Sequence, residues 1–154
     1  MIKRVFLLLL VVAAPALASE ITNASVVAAM NEQRAHFGLP PLRENPRLDA
    51  AAADRMHDME DLGYWAHESP DGRSPFMWLA LRHYPYRFAG ENLATGFETI
   101  ELLIDGWMSS KGHRENILSP NYEDVGVAVI DGGTARRTEG KSVVVMFGTA
   151  QPEP

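Results

Sequence analysis

Val125-Gly126-Val127-Ala128-Val129-Ile130 and Ser142-Val143-Val144-Val145-Met146-Phe147 are short, rich in β-branched residues and nearly continuous in apolar character. Strands of that kind are covered on both faces rather than alternating between core and solvent. Asp131 to Lys141 lies between them, polar and glycine-bearing, and reads as a hairpin loop. A sheet that must be covered twice needs two layers of helices, and the chain before Pro120 supplies them.

Asn23 or Ser25 is placed to cap a first helix, with Val26, Ala29, Met30, Gln33 and Phe37 along one face and Gly38-Leu39-Pro40-Pro41 as its stop. Pro46 suits the first position of a second helix, whose stripe is Leu48, Ala52, Met56, Met59 and Leu62 and whose end is Gly63. Ser69-Pro70-Asp71-Gly72 is a turn. A short third helix is predicted from Ser74 to His83, stopping before Pro85. Thr99 caps a fourth, in which Ile100, Leu103, Ile104 and Trp107 recur at i, i+3, i+4 and i+7. Amphipathic helices around a small, doubly covered, mainly antiparallel sheet give an α/β class fold, a three-layer α/β/α sandwich.

The chain opens Met1-Ile2-Lys3-Arg4, runs apolar from Val5 to Ala14 and closes with Ala16-Leu17-Ala18. Charged start, short apolar middle and small cleavage residues predict a secretory signal peptide over 1–18, too short to span a bilayer at roughly 20 residues. A single domain over 19–150 follows, with a frayed polar tail at 151–154. No later segment is apolar enough to cross a membrane. The mature protein is expected to be exported, to the periplasm or the exterior. There is no cysteine, so neither disulfide nor thiolate chemistry is available. A formal charge of −6 and the lack of a basic stripe argue against nucleic-acid binding.

Three separate segments carry the groups able to do chemistry. His67 precedes the tight turn, and Glu91 lies in Gly90-Glu91-Asn92, read as a loop between two helical segments. Ser110 and His113 fall at the end of the fourth helix, with Gly112 as its stop and the helix dipole favouring a charged His113 imidazole. Each has a plainer structural reading: a histidine bonding turn backbone, a loop acid satisfying backbone N–H groups, a capping histidine. Together, His67, Glu91 and His113 make a two-histidine, one-carboxylate set that matches a zinc site with an open position. His67-Glu68 does not begin an H-E-x-x-H motif, because Asp71 stands where the second histidine belongs and Pro70 breaks the helix. Neither a G-x-S-x-G elbow nor a phosphate-binding glycine loop is present.

The order of landmarks resembles the CAP superfamily, also called SCP or pathogenesis-related-1-like, in its short bacterial form. The resemblance runs from Val26 to Gly148. It is carried by Asn31 and Arg34, Gly38-Leu39-Pro40-Pro41-Leu42, Met59, Gly63-Tyr64-Trp65-Ala66-His67 and Ser69-Pro70-Asp71-Gly72. Glu91-Asn92-Leu93-Ala94, Trp107-Met108-Ser109-Ser110, Gly112-His113-Arg114, Asn116-Ile117-Leu118 and Val125-Gly126-Val127 complete it. The resemblance implies an α/β/α sandwich with a large cleft faced by His67, Glu91 and His113. Where the wider family has a second glutamate, this chain has Ser110, which removes an anionic charge and weakens any metal or two-carboxylate mechanism. Met146 stands where many relatives carry an acidic or amide residue.

Three functions follow as expectations. The favoured one is a non-catalytic binding module whose cleft takes a small ligand, a lipid, an envelope polymer or a divalent metal, zinc being the candidate. A peptidase-like hydrolase is the alternative, using either Ser110 with His113 and Glu91 or zinc-activated water. Lipid or sterol binding would use the aromatics Trp65, Phe76, Trp78, Tyr84, Tyr86 and Phe88, for which ordinary core packing is the better reading.

Overall fold

The computed structural model describes residues 20–132 and 139–152. The expected signal peptide, part of the hairpin loop and the last two tail residues lie outside the described residues. Helix α1 (Asn23–His36), strand β1 (Arg43–Glu44), α2 (Pro46–Asp61) and α3 (Met77–Leu81) come first. They are followed by β2 (Tyr86–Phe97), α4 (Ile100–Ser109), α5 (Lys111–Ile117), β3 (Asp124–Asp131) and β4 (Lys141–Ala150). The sheet order is β1-β3-β4-β2, with β4 antiparallel to both neighbours and β1 parallel to β3 over two residues.

The three layers follow from the pleat of β4, whose successive side chains point to opposite faces. Val143, Val145 and Phe147 join Val125 and Val127 against α1, α4 and α5. Val144 and Met146 join Leu93 and Ala128 against α2 and α3. Gly126 lets α2 close onto the sheet, since a Cβ there would overlap the Leu48–Asp49 backbone.

Helix boundaries follow local chemistry. Thr22, not Asn23 or Ser25, caps α1, and Ser25 returns the bond as the other half of a capping box. The buried face of α1 is Val26, Val27, Met30 and Arg34, while Phe37 is exposed. Asn45 caps α2 ahead of Pro46. The helix ends at Gly63, whose φ of 66° lets Tyr64 N–H reach the Met59 carbonyl and Gly63 N–H that of Glu60. Leu62, expected in the stripe, is exposed at that end, and Arg55 takes a buried place in the stripe. Helix α3 is shorter than the predicted Ser74 to His83. The face of α4 is buried as predicted, and Thr99 accepts from Leu102 N–H.

Two corrections bear on the site. Gly90-Glu91-Asn92 is not a loop between helices; it lies within the twelve-residue strand β2. Gly112 does not stop the fourth helix. Ser110, with φ −94° and ψ 122°, breaks it, and α5 begins at once, so His113 sits in the first turn of a new helix. The dipole argument for a charged His113 therefore falls away.

Side chains bond backbone groups along the outer edge of β2 and on β3 where β1 ends, which hinders further strand pairing at those places. On the outer edge of β2, the carbonyls of Ala89, Glu91 and Leu93 accept from Tyr122 Oη (3.0 Å), Asn116 Nδ2 (3.1 Å) and Trp107 Nε1 (3.3 Å). On β3, beyond β1, the Val127 carbonyl accepts from Asn23 Nδ2 (2.7 Å) and its N–H donates to Asp49 (2.9 Å).

Candidate functional site

Glu91 faces the α2 layer from the middle of β2, and its side chain is only 2% exposed. Burial of that order requires partners for both oxygens. Oε2 accepts from Arg55 Nε at 3.1 Å, and Oε1 lies 2.7 Å from His67 Nδ1. A carboxylate can only accept, so Nδ1 carries the proton, and in neutral His67 the Nε2 lone pair is free. The His67 side chain is 61% exposed, so one edge of the ring is anchored in the protein and the other meets solvent.

The Ser69–Gly72 turn presents His67. Gly72 N–H donates to the Ser69 carbonyl (2.8 Å), and Ser69 N–H donates to that of Arg73 (3.1 Å). Arg55, fully buried on α2, binds the carbonyls of Ala66 and His67, the hydroxyls of Tyr64 and Ser69, and Glu91. Its guanidinium lies 5.2 Å from the Trp78 ring centroid and 5.3 Å from that of Tyr64. Asp58, one turn further along α2, accepts from Tyr64, from Ser69 (3.3 Å) and from Arg73 (3.0 Å).

His67 and Glu91 line a cleft of about 490 Å³ together with Phe76, Gly90, Asn116 and Tyr122. Gly90 is required there by close approach, since a Cβ would lie 2.8 Å from Tyr122 Cζ and closer still to its hydroxyl. Hollows of about 820 Å³ beside Arg47 and Tyr86 and about 600 Å³ beside Met108 and Leu118 bring no imidazole and carboxylate together.

The two histidines are shifted in opposite directions. The hydrogen bond to Glu91 raises the pKa of His67, with the Glu91 charge adding to it against desolvation and the Arg55 charge. Desolvation lowers that of His113, and the positive charge of nearby His67 lowers it further. His113 is half-buried; its carbonyl accepts from Asn92 Nδ2 (3.1 Å), and its ring lies 6.3 Å from that of Trp107.

The structure thus brings His67 and Glu91 into contact, while His113 lies near enough to feel the His67 charge but is not among the residues lining the cleft. It does not join Ser110 to them: among the described residues no hydrogen bond links Ser110 to His113, and Glu91 partners His67 instead. Nor do three His, Asp or Glu side chains gather as an ion-binding group among the described residues. Glu91, expected as a ligand, has both oxygens engaged. Met146, across the ladder from Glu91, is fully buried and apolar. Of the aromatics between α2 and Glu91, Trp78 and Tyr84 are buried, Trp65 and Tyr86 pack half-buried against the same core, and Phe76 and Phe88 are half-buried outside it, Phe76 lining the cleft. Sequence reasoning missed Arg55, although a charged residue three after Ala52 on an apolar helix face is a readable signal. Asn116 and Tyr122 carry no such signal.

The family model described as the cysteine-rich secretory protein family, CAP, matches residues 27–147. The uncharacterized protein YkwD of Bacillus subtilis (strain 168) is 39% identical over 109 residues, covering 71% of this chain and 42% of that protein. The uncharacterized membrane protein YlbC of the same strain is 30% identical over 99 residues, covering 64% and 29%. An extracellular protein containing an SCP domain from Bacillus anthracis (strain Ames) superposes with a TM-score of 0.69 at 25% identity, covering 82% and 39%. An outer surface protein of Borrelia burgdorferi shares the fold, with a TM-score of 0.73 at 18% identity over 88% of this chain and all of that one. This chain spans less than half the length of the Bacillus proteins it matches. Among the described residues no helix is long and apolar enough to cross a membrane.

Proposed function

Because the chain belongs to the cysteine-rich secretory protein (CAP) family, we propose that the cleft at His67 and Glu91 is a ligand-binding site of an exported protein and works without turnover. One observation carries this reading: Glu91 is held between Arg55 and His67, which anchors one edge of an exposed imidazole and leaves the other edge for a ligand. A serine mechanism is poorly supported, since among the described residues Ser110 has no hydrogen bond to an imidazole. A carboxylate with both oxygens engaged is also a poor general base. The burial of Trp78 and Tyr84 and the core packing of Trp65 and Tyr86 speak against a displayed lipid groove. Export is supported by the predicted leader and by the extracellular B. anthracis relative.

The donor set fits a divalent ion in part. A histidine whose Nδ1–H is held by a carboxylate is the usual arrangement behind a metal-binding Nε2. His113 is biased toward the neutral form that a metal requires. Glu91 then serves as the orienting partner, and His67 and His113 are the two donors. Such an ion would supply a Lewis-acidic anchor for an anionic or carbonyl group of the ligand.

Calorimetric titration of zinc into the metal-stripped protein, beside a His67→Ala/His113→Ala double variant, tests the metal part. One-to-one binding that the double variant loses is expected, and a wild type that takes up no zinc removes the metal from the reading. Incubation with peptide and ester substrates tests the rest. Hydrolysis that disappears in Ser110→Ala would replace the binding reading with a hydrolytic one.

A further inference from the structure

Arg55 spends every donor it has on the cleft. A guanidinium offers five N–H groups in a rigid fork. One goes to Glu91 Oε2 at 3.1 Å. Two go to the hydroxyls of Tyr64 and Ser69, and two to the carbonyls of Ala66 and His67, the last at 3.0 Å. Four of these five acceptors belong to the segment that carries His67, and the fifth belongs to the carboxylate that His67 meets. Burying this charge gains little stability in itself, because desolvation offsets most of the attraction. What it secures is geometry, since one rigid group joins α2, β2 and the His67 segment.

We propose that Arg55 is the positioning residue of the cleft, fixing at once the Glu91 carboxylate and the backbone around His67, so that the imidazole is held with Nδ1 on Glu91 and Nε2 available. The consequence for ligand affinity rests on the binding reading above; the consequence for the ring does not. Arg34 makes a suitable contrast. It is equally buried, on α1, and donates to the carbonyls of Pro40, Ile117, Ser119 and Tyr122, but touches neither Glu91 nor the His67 segment.

Nitrogen NMR of the histidine side chains, recorded where His67 is neutral, reads the tautomer directly. Wild-type His67 is expected to show a protonated Nδ1 and an unprotonated Nε2. In Arg55→Lys, which keeps the charge but loses the fork, both signals should move toward the tautomer average while circular dichroism shows the fold intact. Zinc affinity should fall on the order of 10- to 100-fold, the range for a partner that orients a metal-binding imidazole. Arg34→Lys should lower the unfolding midpoint and leave the His67 signals in place. A folded Arg55→Lys with unchanged His67 signals overturns the proposal, as does an Arg34→Lys that moves them equally. If neither variant folds, the wild type decides: the Arg55 Nε and Nη protons should be resolved and protected from exchange, and a freely exchanging guanidinium overturns the proposal. A wild type that binds no zinc ends the metal reading alone, and the tautomer result still decides the role of Arg55.

Discussion

His67 and His113 respond to pH with opposite signs. The Glu91 hydrogen bond raises the pKa of His67 above its usual value, so His67 charges first as pH falls. Its contribution to stability is complete below the unfolded-state pKa of about 6.5 and is lost as pH rises through the higher folded value. Desolvation depresses the pKa of His113, so that residue is neutral at no cost above about pH 6.5 and opposes folding as pH drops below it. Proton NMR should therefore find the His67 midpoint above that of a free histidine and the His113 midpoint below it, and Glu91→Gln should bring the His67 midpoint down. Equal midpoints would mean that the ring of His67 does not rest on Glu91. Protons compete with any ion for Nε2, so zinc affinity should weaken as pH falls through the His67 midpoint. At Gly90, a methyl group must displace the Tyr122 ring. Gly90→Ala is expected to cost about 1–3 kcal/mol in urea denaturation, the range for overpacking. A neutral result would show that Tyr122 can move away from the strand.

Among the elements, α4 is the one most legible in sequence. Ile100, Leu103, Ile104 and Trp107 alone define its buried face, and Thr99 its start. Thr99→Ala should cost about 1 kcal/mol, the ordinary value of a side-chain cap, measured as a shift in the urea midpoint. Strand β2 is the opposite case. Gly90, Asn92 and Gly96 are poor strand formers, and its buried positions include Glu91 and Asn92, so neither composition nor alternation marks it. Its pairing with the strongly apolar β4, and the side chains on its outer edge, override local preference. The contact between α2 and β3 depends on Gly126, where the obstacle is helix backbone rather than a mobile side chain. Gly126→Ala is thus expected to destabilise more than Gly90→Ala in the same assay. Because α2 carries Arg55, the substitution should also disturb the His67 signals; a small cost with those signals unmoved would place α2 further from the sheet.

For the molecule as a whole, the sheet is shared between two cores, and β3 and β4 contribute side chains to both. Neither core can be lost without exposing the other face of the same strands, so the domain should unfold in one transition. Trp107 reports on one core and Trp78 on the other. Variants retaining only one of these as the buried tryptophan should give the same urea midpoint, after correction for their own stabilities, as far-ultraviolet dichroism. Separate midpoints would reveal two units where the topology shows one. Arg34 supports this unity by tying α1 to the end of α5 and the chain just after it through the carbonyls of Ile117 and Ser119, both at 2.8 Å.

The sequence by itself determined the class of the fold and most of its parts. Period-2 and period-3.6 apolar patterns, proline and glycine punctuation and capping residues act over a few neighbours, so β3, β4, α2 and α4 can be read locally. It also singled out His67, Glu91 and His113 as candidates for one site, of which the structure brings His67 and Glu91 into contact. Only the tertiary structure decided how they are related. That both Glu91 oxygens are engaged depends on Arg55, which approaches strand β2 from helix α2 across 36 positions of chain. Whether His113 ends one helix or begins the next depends on a break at Ser110. Side-chain charge state and direction are set by partners distant in sequence, through burial and hydrogen bonds that no local pattern encodes.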